Sequence, residues 1–437
     1  MCYNKTMETI VALATPPGNS GVAVVRISGE KSKEILQNII KEKLDFEPRK
    51  MYLKNVYAKD IVDKCLVVFF ASPFSFTGED VAEIQSHGGY FLAQQIIDEC
   101  LSLGATLATK GEFSKRAFIN GKMSLDQAEG IIDLINAESS LQAKNGSDLL
   151  QGKLKEIITT HQDNLSNILA DIEAKLDYPE YDYNEEETKN IKSKLETLVT
   201  ELETLIDESK NGLIIKNGVK VAIVGAPNVG KSSLLNALTK SNKAIVTDIA
   251  GTTRDIVEAE YEFNGIIFRL FDTAGIHESK DVVEKIGIDR ALKTLEDADI
   301  VLRVSTPDEK CNIQTQKPFI DVFNKSDLIK NQQDNKYFYV SAINGQNINE
   351  LKQEIFNKTI SGKIEQNKIY LTNTRHIECV KKAISQINST IKIFDTTTYD
   401  IISSELKSAW GSLGEISGVV SNEAIIDKIF SKFCLGK

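Results

Sequence analysis

One short stretch constrains this 437-residue chain more than any other. Residues 225–232 read Gly-Ala-Pro-Asn-Val-Gly-Lys-Ser, after the apolar run 219–224 and before the helix-like segment 233–238. In a strand–loop–helix context, this G-x-x-x-x-G-K-S pattern lets backbone N–H groups curl around an anion at a helix N-terminus. The alternative is a chance glycine-rich turn, and the strand and helix on either side argue against it. The pattern predicts a nucleoside triphosphate site.

Each position in this loop has an expected task. Lys231 is expected to reach the β and γ phosphates, and the Ser232 hydroxyl is placed to hold Mg²⁺. The loop residues expected to contact the nucleotide are Asn228, Val229, Gly230, Lys231, Ser232 and Ser233.

Two further motifs follow the phosphate loop in GTPase order. Asp272-Thr273-Ala274-Gly275 ends the apolar run 266–271, where a carboxylate can reach Mg²⁺ through water. Residues 251–255, Gly-Thr-Thr-Arg-Asp, occupy the switch position, with Thr253 the expected second Mg²⁺ ligand. The nucleotide contacts expected here are Thr247, Asp248, Ile249, Ala250, Gly251, Thr252, Thr253, Asp272, Thr273, Ala274 and Gly275.

The last two motifs identify the base. Asn324, Lys325 and Asp327 belong to an Asn-Lys-Ser-Asp run, and Ser341-Ala342 follows a strand-like segment at 337–340. The Asp327 carboxylate can accept hydrogen bonds from guanine N1 and N2, a donor pair that adenine lacks, and an unpaired carboxylate would penalise ATP. An isolated Asn-Lys-Ser-Asp is usually an ordinary loop, but five motifs in order and at domain-sized spacing are specific. GTP is the predicted ligand.

The catalytic switch departs from the common arrangement. Ile276 follows the Asp-Thr-Ala-Gly motif, and an isoleucine cannot orient the attacking water, so hydrolysis needs another group. Asn228 and the carbonyl groups of residues 244–249 could cage a monovalent cation beside the phosphates. Asn228 also suits simple turn geometry. From spacing alone the two interpretations of Asn228 stand about even.

Composition sets the class and the organisation. A charged fraction of 26% and a hydrophobic fraction of 41% indicate a globular protein, and the net charge of −10 argues against non-specific polyanion binding, although a local basic pocket for RNA stays open. Six scattered cysteines without a C-x-x-C pair suit a reducing cytosol, and no apolar run is long enough to span a membrane. We expect a cytoplasmic protein without membrane contact.

The chain length predicts several domains. The expected fold class is multi-domain: an N-terminal α+β domain at 1–119, an all-α helical domain at 120–216 and 359–437, and an inserted Ras-like α/β P-loop domain at 217–358. The helical periodicity of Leu165, Ile168 and Leu169 indicates bundle core. Residues 305–318 are too few for a full crossover helix with its loops at ~1.5 Å per residue, so this flank is expected to be trimmed or irregular.

Three further features narrow the family. They are the opening Thr15-Pro16-Pro17-Gly18 with residues 25–29 (Val-Arg-Ile-Ser-Gly), the runs 77–89 and 111–118, and the terminus Cys434-Leu435-Gly436-Lys437. Together with the nucleotide motifs, they resemble the bacterial tRNA-modification GTPases called MnmE or TrmE across nearly the whole chain. His277 departs from the arginine expected after the Asp-Thr-Ala-Gly-x run.

The resemblance implies a reaction and a set of ligands. With a flavoprotein partner (MnmG or GidA), members install an aminomethyl-type group at C5 of the wobble uridine of certain tRNAs, using a 5-formyl or methylene tetrahydrofolate. It implies a homodimer through the N-terminal domain, G domains that close on each other with GTP and K⁺, and a heterotetramer with the partner. By position, the family's folate contacts match Arg26, Glu83, Lys122 and Lys437, and its K⁺ ligands match Asn228, Thr247, Ile249 and Thr252.

Two catalytic residues are also implied by the resemblance. Glu284 matches the water-positioning glutamate, and Cys434 is expected to act in tRNA modification. On sequence alone, Glu284 would be an exposed helix charge, Cys434 an inert terminal cysteine and the folate residues solvated charges. Outside the family, the same nucleotide motifs would serve a GTP-controlled ribosome-assembly factor or a folate-sensing regulatory GTPase. The folate-like motifs and the cysteine terminus favour the tRNA-modification enzyme.

Overall fold

The computed structural model describes residues 8–177, 185–240, 259–272, 295–329, 336–360, 364–365, 368–420 and 422–437. Its strands are β1 (Ile10–Leu13), β2 (Val22–Ser28), β3 (Met51–Ala58), β4 (Ile61–Phe70), β5 (Val81–His87), β6 (Thr106–Leu107), β7 (Val219–Val224), β8 (Ala259–Phe263), β9 (Ile266–Asp272), β10 (Ile300–Ser305), β11 (Phe319–Phe323) and β12 (Phe338–Tyr339). Its helices are α1 (Ser32–Ile40), α2 (Tyr90–Ser102), α3 (Glu112–Ile119), α4 (Leu125–Ile135), α5 (Ser140–Leu150), α6 (Lys153–Asp177), α7 (Glu185–Asn217), α8 (Lys231–Thr239), α9 (Ile348–Thr359), α10 (Thr374–Ile393), α11 (Tyr399–Ser417) and α12 (Glu423–Phe430).

The chain divides into two compact units. The first contains Met1–Ile132, Leu149–Gln162 and Gly411–Lys437, and the second contains Asp133–Asp148 and Asp163–Trp410. The multi-domain class is confirmed, because the structure contains an N-terminal sheet covered by helices, further helical segments and a separate P-loop sheet. The four-segment boundaries given above stay a prediction.

The first unit is built on a six-stranded sheet of order β3-β4-β5-β2-β1-β6. Its neighbours pair antiparallel except β1 and β6, which are parallel. Strand side chains alternate between faces, so Val25, Val67 and Ile84 point into a core that α1 and α2 cover. Arg26 and Glu83 occupy the opposite face, in register with each other.

The last residues of the chain belong to this first unit. Phe430 and Phe433 pack with Leu125 and Ala128 in one apolar cluster. At Gly111 (φ 69°), a Cβ would lie 2.3 Å from the carbonyl oxygen of Phe430. The C-terminal segment is therefore a packed part of the fold, held against the start of α3.

The second unit contains a sheet of order β12-β11-β10-β7-β9-β8, in which β8 alone pairs antiparallel. The central strand β7 is an almost continuous apolar run because helices and loops bury both of its faces. The phosphate loop leaves the carboxyl end of β7 and enters α8, as predicted.

The connection between β10 and β11 contains no helix in residues 306–318, all of which the structure describes. This confirms the expectation from its length. Cys311 and Ile313 instead pack against Ala222, Val224 and Val301, where they cover apolar surface that a crossover helix would normally cover. Arg303 stabilises the region because it bonds both carboxylate oxygens of Asp321, at 2.7 and 2.8 Å.

A second feature of this unit is the attachment of the β8–β9 hairpin to residues around the start of α5. Glu262 accepts hydrogen bonds from the backbone N–H and hydroxyl of Ser140, at 3.2 and 2.9 Å. Arg269 bonds Glu138 and, at 2.6 Å, Glu260. These contacts anchor the β8–β9 hairpin to Glu138 and Ser140, at the end of the α4–α5 loop and the start of α5 in the same unit.

The long helix α7 packs along α10 in this unit, and its apolar side chains Ile191, Leu195, Leu198 and Leu202 are buried. In the described part of the chain, no helix combines the length and the hydropathy required to cross a bilayer.

Candidate functional site

The phosphate loop is shaped by residues in the left-handed backbone region. Asn228 has φ 64° and Gly230 has φ 91°. Lys231 Nζ donates to the carbonyl oxygens of Gly225 and Ala226, at 2.9 and 3.0 Å, so its ammonium group lies over the loop. The loop thus has the curvature and the cation that a phosphate site requires.

The helix after the loop presents its first turn to solvent. Ser232 and Ser233 are exposed there, while Val229 is buried. The first N–H groups of a helix lack intrahelical acceptors and carry the positive end of its dipole, which favours an anion. Asp272 pairs in register with Ile223, just before the loop, so the carboxylate motif and the phosphate loop leave neighbouring strands.

The guanine motif is joined directly to the phosphate loop. The buried Asn324 Nδ2 donates to the carbonyl oxygen of Val229 at 3.0 Å, and Lys325 Nζ donates to that of Asn228 at 2.9 Å. A Cβ on Gly230 would lie 2.4 Å from Asn324 Nδ2, so only glycine permits this approach. Residues distant in sequence therefore share one hydrogen-bonded frame.

The expected base-recognition residues are brought together as well. Ser341 Oγ donates to Asp327 Oδ1 at 2.6 Å, and the Ala342 N–H donates to Asn324 Oδ1 at 3.1 Å. Asp327 is exposed, so its carboxylate is accessible to a ligand and is held by one hydroxyl. This contact gives Ser341 a part in orienting the carboxylate that sequence reasoning did not assign to it.

Several predicted site residues lie outside the described residues. They are Thr247, Asp248, Ile249, Ala250, Gly251, Thr252, Thr253, Thr273, Ala274, Gly275 and Glu284. Of the expected Mg²⁺ ligands, Ser232 is described and its exposed place in the first turn of α8 fits the task. Of the expected K⁺ ligands, Asn228 is described, and its left-handed conformation on the exposed loop fits either interpretation.

A second cluster lies on the open face of the sheet in the first unit. Arg26 Nε donates to Glu83 Oε1 at 2.8 Å, and Arg26 Nη1 donates to the carbonyl oxygen of Gly436 at 3.4 Å. The Arg26 guanidinium carbon lies 5.5 Å from the ring centre of Phe76 and 5.7 Å from that of Phe113. Sheet register and the folded chain end thus bring Arg26, Glu83 and the residue before Lys437 into one place.

The other residues expected in this site take different positions. Lys122 Nζ donates to the carbonyl oxygen of Pro73 at 2.7 Å, and the lysine borders a separate cavity of about 350 Å³. Cys434 is exposed, and its carbonyl oxygen accepts from the Gly111 N–H at 3.4 Å. Cys65, Cys100 and Cys379 are buried, so Cys434 is the most accessible thiol of these four.

Sequence reasoning missed a charged network around Arg116 in the same unit. Arg116, 5% exposed, pairs with Glu79 at 3.1 Å and with Glu112 at 2.8 Å. Burial acts to raise the pKa of Glu112, but hydrogen bonds from Thr109 and the Arg116 guanidinium hold that pKa below its usual value. The spacing of Glu112 and Arg116, four residues apart on a helix, signalled that pair. No sequence pattern near Arg116 indicated its contact with Glu79.

Known protein families match this chain in both of its units. The family model described as "GTP-binding protein TrmE N-terminus" matches residues 9–122, and the model "MnmE helical domain" matches residues 125–434. The chain is 38% identical to the tRNA modification GTPase MnmE of Pseudothermotoga lettingae, over 98% of this chain and 100% of that protein. It is 39% identical to the protein of the same name from Francisella tularensis subsp. holarctica, over 99% and 100%.

Among solved structures, the chain matches a point variant of Aquifex aeolicus Era bound to GDP and AlF₄⁻, with 28% identity over 38% of this chain and 66% of that one. The TM-score of this match is 0.27, too low to relate the two structures further.

Proposed function

Because this chain belongs to the family of tRNA modification GTPases MnmE, we propose that it is a K⁺-stimulated GTPase that modifies tRNA with one-carbon chemistry. With a flavoprotein partner of the MnmG type, it installs an aminomethyl-type group at C5 of the wobble uridine. A 5-formyl or methylene tetrahydrofolate supplies the one-carbon unit. The GTP hydrolase activity is the part of this function for which the family match is most direct.

The observation that carries the one-carbon part is the hydrogen bond from Arg26 to Gly436. It brings the Cys-x-Gly-Lys terminus beside the Arg26–Glu83 pair. A carboxylate suits the amino and N–H donors of a pterin, and basic groups suit the carboxylates of its glutamate tail. In the proposal, Glu83 binds the pterin, while Arg26, Lys122 and Lys437 bind the anionic part.

In the nucleotide site, each expected residue has a task. Lys231 and the first turn of α8 bind phosphate oxygens, and Asp327 with Ser341 orients guanine. Ser232, with Thr253, would hold Mg²⁺, which would offset phosphate charge. Asn228, Thr247, Ile249 and Thr252 would hold K⁺. Glu284 would orient the attacking water, a task that Ile276 cannot perform.

The assembly is also part of the proposal. Leu53, Val62 and Leu66 are 40–55% exposed on the sheet face that carries Arg26 and Glu83. Such an apolar surface supports a homodimer through the first unit. A heterotetramer with the flavoprotein would then follow, with tRNA as the shared substrate.

The deciding experiment is mass spectrometry of tRNA nucleosides from cells with and without this protein. We expect a 5-substituted aminomethyl uridine to disappear on deletion and to return with the wild-type gene, but not with one encoding Cys434→Ser. Purified Cys434→Ser should still hydrolyse GTP at the wild-type rate. An unchanged nucleoside profile would contradict the proposal and favour a GTP-controlled ribosome-assembly factor.

Two assays separate the ligand claims. GTP hydrolysis in KCl should exceed that in NaCl at equal ionic strength, and equal rates would remove the potassium claim. Calorimetric titration with 5-formyltetrahydrofolate should give binding that Arg26→Ala weakens. Binding unaffected by Arg26→Ala, in a variant that still unfolds cooperatively, would remove the folate assignment.

A further inference from the structure

Besides Arg26, a second arginine of the first unit joins separate elements of the chain. Arg116 on α3 is enclosed, with 5% of its side chain exposed. Its Nη1 donates to both carboxylate oxygens of Glu79, at 3.3 and 3.1 Å, and its Nη2 donates to Glu112 Oε1 at 2.8 Å. A planar guanidinium can hold two carboxylates in one fixed geometry, which the single ammonium group of lysine cannot reproduce.

Glu79 extends this connection to β2. Its Oε2 accepts a hydrogen bond from Ser28 Oγ at 2.7 Å, and the buried hydroxyls of Ser28 and Thr77 are 2.7 Å apart. Asn120, just after α3, donates to the Thr77 carbonyl oxygen at 2.7 Å. The loop between β4 and β5 is therefore tied to β2 and to α3 through these polar contacts.

This loop is in contact with two of the residues assigned to folate. The Phe76 ring lies over the Arg26 guanidinium, and the Pro73 carbonyl oxygen accepts from Lys122. A Cβ on Gly78 would lie 3.2 Å from the Lys122 side chain, so the aliphatic part of Lys122 runs close along the loop. A shift of the loop would thus move groups that position both cations.

The opposite end of α3 holds the chain terminus. Its first turn begins after Gly111, which contacts Phe430 and donates to the Cys434 carbonyl oxygen. The terminus continues to Gly436, whose carbonyl oxygen accepts from Arg26. The helix that carries Arg116 therefore lies between the loop at one end of the cluster and the terminus at the other.

We propose that Arg116 is a positioning residue for the folate site, because it locks the β4–β5 loop and α3 into the arrangement that presents Arg26, Lys122 and the terminus to an anionic folate. This inference rests on the function proposed above. Without the guanidinium, Glu79 and Glu112 would be two partly buried like charges without their shared partner, which strongly disfavours their approach. The loop would separate from α3.

The test compares Arg116→Gln with Lys115→Gln in the full-length protein. Lys115 is the neighbouring cation on the same helix, and its ion pair with Asp427 is partly exposed, so its loss should have a small effect. For Arg116→Gln we expect 5-formyltetrahydrofolate binding to weaken roughly ten- to a hundredfold, since small displacements of binding groups have effects of that size. Hydrogen exchange at residues 72–80 and 433–437 should accelerate in the ligand-free Arg116→Gln protein and not in Lys115→Gln.

Glu79→Gln and the double variant with Arg116→Gln complete the test. Glu79→Gln should weaken folate binding in the same direction. The double variant should be no worse than Arg116→Gln alone, because both single variants remove the Arg116–Glu79 contact. Arg116→Lys should give an intermediate affinity. If Arg116→Gln does not fold, Glu79→Gln decides the inference by the same two measurements.

The outcomes separate this inference from the proposed function. Wild-type affinity together with wild-type exchange rates in a folded Arg116→Gln or Glu79→Gln variant would overturn the positioning role. Absence of folate binding by the wild-type protein would instead overturn the proposed one-carbon function. Exchange at residues 72–80 and 433–437 would still decide whether Arg116 holds the two segments.

Discussion

The nucleotide site of the second unit and the Arg26–Glu83 cluster of the first unit are built by different means. In the phosphate loop, neighbouring residues of one short motif supply backbone groups, and Asn324 and Lys325 bond its carbonyl oxygens. In the first unit, Arg26, Glu83 and Gly436 lie far apart in sequence and meet through sheet register and chain-end packing. A site built from the backbone groups of neighbouring residues is visible in the sequence as a contiguous motif. A site built from side chains that are far apart in the sequence is not.

The largest effect should come from Lys231→Ala. Removing the cation over the phosphate loop should reduce GTP turnover roughly a hundred- to a thousandfold, comparable to the loss of one preorganised group that stabilises developing charge. Steady-state GTP hydrolysis measures it. If the two sites are separate, folate affinity should be unchanged. A parallel loss of folate binding would show that the two sites are coupled.

Two glycine substitutions test the sites against each other. Gly230→Ala should weaken GTP binding about tenfold or more, because its Cβ would meet Asn324 at 2.4 Å. Gly436→Ala (φ 91°) should weaken folate binding to a similar degree, since its Cβ would lie 2.1 Å from the Leu13 carbonyl oxygen. Calorimetry should show that Gly230→Ala loses affinity for GTP alone and that Gly436→Ala loses affinity for folate alone.

Gly104→Ala is the matched control for Gly436→Ala. It also has a positive φ, 94°, but its Cβ would make only an ordinary contact, at 3.5 Å. It should lose about 1 kcal/mol of stability through backbone strain and keep both affinities. Equal loss of folate binding in Gly104→Ala and Gly436→Ala would attribute the effect to strain rather than to displacement of the terminus.

A smaller effect is expected at the anchored hairpin of the second unit. Arg269→Gln removes the pairs with Glu138 and Glu260 and should lower the unfolding free energy by about 1 kcal/mol, because both pairs are partly exposed. Urea unfolding measures this change. Glu354→Gln, at an exposed pair with Lys358, is the control and should be nearly neutral. Equal effects would mean that the hairpin gains nothing from these contacts.

The smallest effect concerns pH. The lowered pKa of Glu112 means that its ionised form adds stability above its unfolded value, near 4.5, and that this contribution is lost as pH falls through the lower folded pKa. Glu112→Gln should therefore show a weaker decline in urea midpoint from pH 5 to pH 3 than the wild-type protein. Parallel declines in the two proteins would show that Glu112 is not coupled to folding.

The sequence by itself determined the strand, loop and helix of the phosphate-binding motif and the order of the nucleotide motifs. The strand 219–224 and the helix after it follow from an apolar run and from glycine geometry. The Asn324 motif is a contiguous run of residues. All of these are local properties. The connection without a helix at 306–318 could also be predicted, because chain length limits what 306–318 can form. Resemblance of motifs along the chain was sufficient to predict the family.

The tertiary structure alone decided which distant groups meet. No local pattern predicts that Arg116 contacts Glu79, that Ser341 holds Asp327, or that Gly436 lies against the end of β1 and accepts from Arg26. These contacts depend on strand order, register and the path of the chain end, each of which is set by burial of the whole apolar core rather than by neighbouring residues. The phosphate loop could be predicted because its chemistry lies along one short stretch of backbone, whereas the Arg26–Glu83 cluster forms only when the sheet and the terminus pack together.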